Sequence, residues 1–140
     1  MSGASEGRGY TASRTDPGHG NTLSPLDQAR QIAALAQEKL ARDVVVLDMR
    51  PACAFTDFFV IATGANVRQT KAIYDEVYAG MKKEHGLTPS SSDGMPEGSW
   101  VIVDYLDVLL HIFTPDAREF YRLEDLWGDV PQLELEAAAG

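Results

Sequence analysis

Three carboxylates stand where chemistry could be done. Asp104 and Asp107 lie three residues apart inside the run from Trp100 to Phe113, which reads as two apolar strands meeting at an acidic pair, and Asp57 opens another apolar run beginning at Phe58. Together they could grip a divalent cation through oxygen ligands. The pair alone also suits a turn, where aspartate bonds its own backbone, or an exposed anionic patch for the Lys and Arg of another protein. The spacing favours the turn over the metal. For Asp57 the plainer role, shared with Thr56, is to satisfy backbone donors where a strand begins.

Other reactive types are sparse. His111 alternates with Leu109 and Phe113 and so shares their strand face, where a lone histidine is more often structural than a ligand. His85 closes a helix and His19 lies near the N-terminus. Cys53 lacks a base in any recognisable relation to it and reads as a small apolar filler. Gly64 and Asn66 follow a strand and open a helix, but residues 63–68 have neither the three spaced glycines of a dinucleotide site nor the Gly-Lys-Ser of a phosphate loop. Trp100 is the strongest binding candidate, because tryptophan leads interface hot spots. Ile102 shares its face, so a core position is equally open.

The elements that position these residues follow from periodicity. Ser24, Pro25 and Asp27 form a helix start, and apolar residues recur at helical spacing to about Arg42. Asp43 to Met49 and Phe58 to Thr63 are short, β-branched runs, each predicted to be a strand buried on both faces. Asn66 caps a long helix ending at Gly86. Thr88 to Gly98 is a loop with room for one very short edge strand. Ser99 to Asp104 and Asp107 to Phe113 then form a tight hairpin about Tyr105 and Leu106. Thr114 to Asp116 starts one or two short helices whose stripe is Phe120, Tyr121, Leu123, Leu126 and Trp127. The order predicts a small α/β sandwich with a mixed sheet.

At 140 residues and 44% hydrophobic content the chain fits one domain, residues 24–128, with a disordered tail over 1–23 and a frayed acidic tail over 129–140. A net charge of −9 repels phosphate backbones and points to a basic partner or a metal, not to direct nucleic-acid binding. One cysteine excludes an internal disulfide. No apolar run is long enough for a membrane helix, and the N-terminus lacks a secretory segment, so a cytoplasmic protein is expected.

Several motifs in one order resemble a known family. The segment Phe55 to Gly64, then Arg68-Gln69 and Ala72-Ile73, then Trp100 with Asp104-Tyr105, Asp107 and His111-Ile112-Phe113, and finally Arg118, Phe120-Tyr121, Leu123-Glu124 and Leu126-Trp127 resemble the ribosomal silencing factors, RsfS or Iojap, over about residues 26–128. The resemblance implies a nucleotidyltransferase-like fold without demonstrated transferase activity, no metal or other cofactor, and a homodimer when free. It also implies binding to ribosomal protein L-fourteen on the joining face of the large subunit. A factor seated there blocks the small subunit and lowers translation when nutrients run short. Trp100 is the partner-binding residue it supports most directly; Asp93, Glu97, Asp104, Tyr105, Leu106 and Asp107 are assigned beside it by residue type. Two departures stand out. Leu106 replaces the glycine usual after Asp-Tyr, which would be strained if that turn needs positive φ, and Asp93-Gly94 replaces Glu-Gly. The alternative from another class is a metal-dependent nucleotidyltransferase using Asp57, Asp104 and Asp107. Against it, the Gly-Ser start and Asp-x-Asp pair usual in such enzymes are missing.

Overall fold

Helix α1 (Pro25–Glu38) begins as its residues predict, with the Ser24 hydroxyl accepting from the Asp27 amide at 3.1 Å. It stops four residues short of the expected end. Lys39 and Ala41 amides both donate to the Ala36 carbonyl, and Leu40 turns through φ 64°; the β-branched run that follows favours a strand. The computed structural model describes residues 23–135. The expected tail over 1–23 therefore lies outside it except for Leu23, which packs on the core.

Strand β1 (Arg42–Asp48) corrects the expectation of two buried faces: only Val46 to Asp48 are buried, while Arg42 and Asp43 are exposed. A register shift between Arg42 and Val45, with Asp43 at φ 51°, lifts its start off the sheet. Strand β2 (Phe58–Thr63) is buried throughout, as predicted. It lies between β1, antiparallel, and β5 (Val108–Phe113), parallel. Helix α2 (Val67–His85) starts on the Asn66 side chain and ends on Gly86 at φ 66°, both where the sequence puts them. The expected short edge strand is β3 (Ser91–Asp93), and β4 (Trp100–Asp104) forms the hairpin with β5.

After α3 (Pro115–Tyr121) and α4 (Leu123–Leu126), the chain returns as β6 (Gln132–Leu133) along β1. The acidic tail expected to fray from 129 is thus partly ordered, because Leu133 and Leu135 pack on the core and the Asp48 amide donates to the Pro131 carbonyl; residues 136–140 lie outside the described part. The sheet order is β3-β4-β5-β2-β1-β6, with one parallel pair. The mixed α/β architecture is as expected. Among the described residues no helix is long and apolar enough to cross a membrane.

Strand alternation divides the sheet into two faces. One carries Val46, Phe58, Val60, Val103, Leu110 and Ile112 against Ile32, Ile73, Val77 and Met81 of α1 and α2. The other carries Leu47, Phe59, Ile61 and Phe113 and is roofed only in part, by Leu123, Ala117 and Trp127. The predicted stripe on α3 and α4 is corrected here. Leu123 alone is buried, whereas Phe120 and Leu126 are 79% and 71% exposed, since helices of seven and four residues cannot turn every apolar side chain inward.

Candidate docking surface

Trp100 lies on the partly roofed face, at the start of β4 and opposite Phe113 in the sheet. Its indole stacks on Phe113 at 5.1 Å between centroids and meets Tyr121 at 4.5 Å. The ring nitrogen donates to His111 Nδ1 at 3.1 Å. An accepting Nδ1 leaves the hydrogen of neutral imidazole on Nε2, which is buried without a partner beside the Phe59 ring. Burial pushes His111 down to about 4, so this acceptor stays neutral at physiological pH. Trp100 is neither core nor free. It is half-buried, with three neighbours fixing its plane.

Two further devices set this end of the sheet. Gly94, at φ 87°, lies so close to the Trp100 carbonyl that any Cβ would overlap it; a side chain there would push the 94–98 loop off β4. Arg118 clamps α3 over the end of β2, donating to Thr63 Oγ1 at 2.7 Å and, through two nitrogens, to Glu124 at 3.2 and 2.6 Å. A fork of this kind fixes the helix direction, and with it Tyr121 against the indole.

The hairpin tip is built differently. The Asp107 amide donates to the Tyr105 carbonyl at 3.0 Å across Leu106, whose φ is 76°. This is the φ of the rare, strained three-residue turn. Asp104 Oδ1 accepts from the Leu106 amide at 2.7 Å, the turn role that its spacing favoured. Leu106 is 64% exposed.

Of the residues assigned to a partner, Asp93, Glu97, Leu106 and Asp107 are exposed and Asp104 is partly so. Tyr105 is a correction. It shares the face of Val101 and Val103 and is buried under α2, where burial raises its hydroxyl pKa and leaves that group without a hydrogen bond; it offers no surface. The set also does not form one patch, because a step of four residues along β4, about 13 Å, takes the chain from Trp100 to Asp104.

The three-carboxylate centre is corrected as well. The Asp57 amide meets the Asp107 carbonyl at 2.9 Å, so the loops adjoin. Yet no group of three His, Cys, Asp or Glu among the described residues could hold a metal ion. An open cleft between the start of β1 and α3 is lined by Asp43, Thr63, Arg118 and Glu124, and none of the three aspartates reaches it. Cys53 sits half-buried at the edge of the second core, as a filler would. The sequence reading missed Tyr121 as a surface aromatic and His111 as the indole's acceptor. Alternation gave a signal for His111, since Ile102 is its cross-strand partner and Trp100 is two residues away on the same face.

The family model for "ribosomal silencing factor during starvation" matches residues 22–139. The ribosomal silencing factor RsfS of Bacillus subtilis is 38% identical over 104 residues, 74% of this chain and 87% of that protein. The mouse protein named mitochondrial assembly of ribosomal large subunit protein 1 is 29% identical over 119 residues, 81% of this chain and 51% of that protein. A crystal structure of a Chromobacterium violaceum protein superposes with a TM-score of 0.73 at 28% identity, covering 84% of this chain and 95% of the other. With the family model spanning nearly all of the described fold, the chain belongs to the ribosomal silencing factor family.

Proposed function

We propose that this protein represses translation by seating on the large ribosomal subunit, through ribosomal protein L-fourteen, where it bars the small subunit sterically. Family membership supports the ribosome-associated role, and the name of the mouse relative links that protein to the large subunit. One observation carries the docking site: Trp100 is held in a fixed plane by Phe113, Tyr121 and His111 and is still partly open to solvent. A pre-oriented aromatic loses little entropy on binding. The chain's negative charge would speed its encounter with a basic ribosomal protein. Exposed Asp93 and Glu97 flank the Trp100 end, and Asp104, Leu106 and Asp107 belong to a separate surface at the hairpin tip. The homodimer and the nucleotidyltransferase-like fold implied by the family are part of the same reading, which is non-enzymatic.

Sedimentation of purified large subunits tests it. Trp100→Ala is expected to lose about 2 kcal/mol of binding, thirtyfold, with circular dichroism unchanged; equal co-sedimentation of both proteins removes Trp100 from the interface. A subunit-joining assay by light scattering should show joining fall as the wild-type protein is added. Joining that does not respond sinks the steric mechanism. Calorimetric titration with magnesium and a nucleotide covers the enzymatic alternative: sub-millimolar binding that Asp104→Ala abolishes would restore it.

A further inference from the structure

Net charge conceals an uneven distribution. Where β2 and β5 end, α1 passes into β1 through Lys39, Leu40, Ala41 and Arg42, and β2 passes into α2 through residues 64–71. These two segments contain Lys39, Arg42, Arg68 and Lys71 and no acid, so the −9 of the whole chain becomes −13 for everything outside them. They lie side by side. Gln69 Nε2 donates to the carbonyls of Lys39 and Leu40 at 2.9 and 3.4 Å, and Arg42 pairs with Thr63 in the sheet.

The four cations are not spent on internal pairing. Lys39, Arg42 and Arg68 are exposed, and none of the four makes an ion pair among the described residues. Lys71 Nζ donates to the Pro96 carbonyl, at 3.4 Å. Acids also stand at the rim: Glu38, whose carboxyl pKa is raised by Glu76 of α2, Asp43 and Glu97, and, across the cleft from Asp43, Glu119 and the Arg118-paired Glu124. The start of α2 is not itself the feature, because Asn66 and Gln69 side chains already take its Gln69 and Ala65 amides.

We propose that this corner rests on the phosphate backbone of the large subunit's RNA. Four separate charges on two adjoining segments, one from Lys39 to the first residue of β1 and one over the first turn of α2, suit a string of phosphates better than one small anion, and they carry no base-reading geometry, so the contact positions without specifying sequence. The corner also adjoins the Trp100 end: Gly98, two residues before Trp100, lies against Val67, Lys71 and Thr70 of α2, and Thr70 Oγ1 donates to its carbonyl at 2.6 Å. A ribosomal protein held at Trp100 would bring its own flanking RNA to this corner. The inference rests on the large-subunit reading above, and it departs, for this corner alone, from the expectation of no nucleic-acid binding that net charge gives.

The test is binding of purified large subunits, by sedimentation at a series of KCl concentrations, to wild type, Trp100→Ala and the double variant Lys39→Glu/Arg68→Glu, both of whose sites are exposed. If the corner meets RNA, the double variant binds more weakly and the dependence of log affinity on log salt flattens by about 2, near one for each phosphate no longer neutralised. Trp100→Ala weakens binding with the slope kept. If the corner instead faces water, the reversal adds negative charge to a protein drawn to a basic partner, and affinity holds or rises; that result overturns the proposal. Weaker binding with an unchanged slope assigns the corner to a protein surface and overturns it equally. Wild type that fails to sediment removes the large-subunit reading, and the RNA-facing corner with it.

Discussion

At one end of β4 the Trp100 indole is stacked on Phe113, set against Tyr121 and hydrogen-bonded to His111. Two residues beyond the other end of that strand, Leu106 projects from the hairpin tip at φ 76°, 64% exposed, with its amide held by Asp104. Both ends present an apolar side chain beside acids, so residue type alone would make both of them docking anchors. They differ in what fixes them. Trp100 is oriented by the buried side chains of Phe113 and His111, with the exposed Tyr121 ring against it, whereas Leu106 is oriented by a backbone conformation that its own Cβ opposes. Disturbing the first should cost stability and binding together, and disturbing the second should separate them.

The largest effect expected is from Phe113→Ala. Phe113 is fully buried, opposite Trp100 in the hairpin and stacked on it, and truncating such a ring costs about 3–5 kcal/mol. Urea denaturation should show the midpoint falling accordingly, with Trp100 fluorescence shifted to longer wavelength in the native baseline. A cost below about 1 kcal/mol would mean that the packed end is no firmer than the tip.

Acid should loosen the same end next. An unfolded histidine titrates near 6.5, while burial holds folded His111 at about 4. Between these values the unfolded chain binds a proton that the folded chain does not. The contribution is therefore complete above about pH 6.5 and is lost as pH falls toward 4, by about 3 kcal/mol in all. Protonation also competes for Nδ1, the atom that holds the indole. Subtracting the stability profile of His111→Phe from that of wild type cancels the carboxylates and isolates this window. A flat difference between pH 6.5 and 4 would show that His111 titrates freely and does not fix Trp100.

What the sequence made legible was local. The bounds of β2 and the two ends of α2 follow from a β-branched run, an Asn cap and a Gly stop, each acting within a few residues. Tyr105 was legible too, since period two places it with Val101 and Val103, but its position beside the turn hid that signal. Residues whose burial depends on distant partners were not legible. Phe120 and Leu126 look like core because they are apolar, and only the limited roof over the second face reveals that nothing covers them. Strand β6 rests on two residues, Gln132 and Leu133, that pair with Leu47 and Val46 far earlier in the chain. The basic corner was hidden for the same reason, because the segments of Lys39 and Arg68 come side by side only when Gln69 bonds the end of α1.

The smallest and most discriminating change is Leu106→Gly at the tip. A side chain held at positive φ costs about 1–2 kcal/mol, and glycine removes that cost while returning about 0.5–1 kcal/mol through the greater freedom of the unfolded chain. Leu106 is too exposed for lost burial to matter much. The net expectation is stabilisation of about 0.5–1 kcal/mol, read as a higher urea midpoint at unchanged m-value. A destabilised variant would show that the turn is not strained. Large-subunit binding then decides what the strain is for. If the more stable variant binds less tightly, the strain presents Leu106 to the partner and the tip is a second anchor. Unchanged binding leaves the Trp100 end as the anchor and makes Leu106 a tolerated departure from the glycine that the turn's φ prefers.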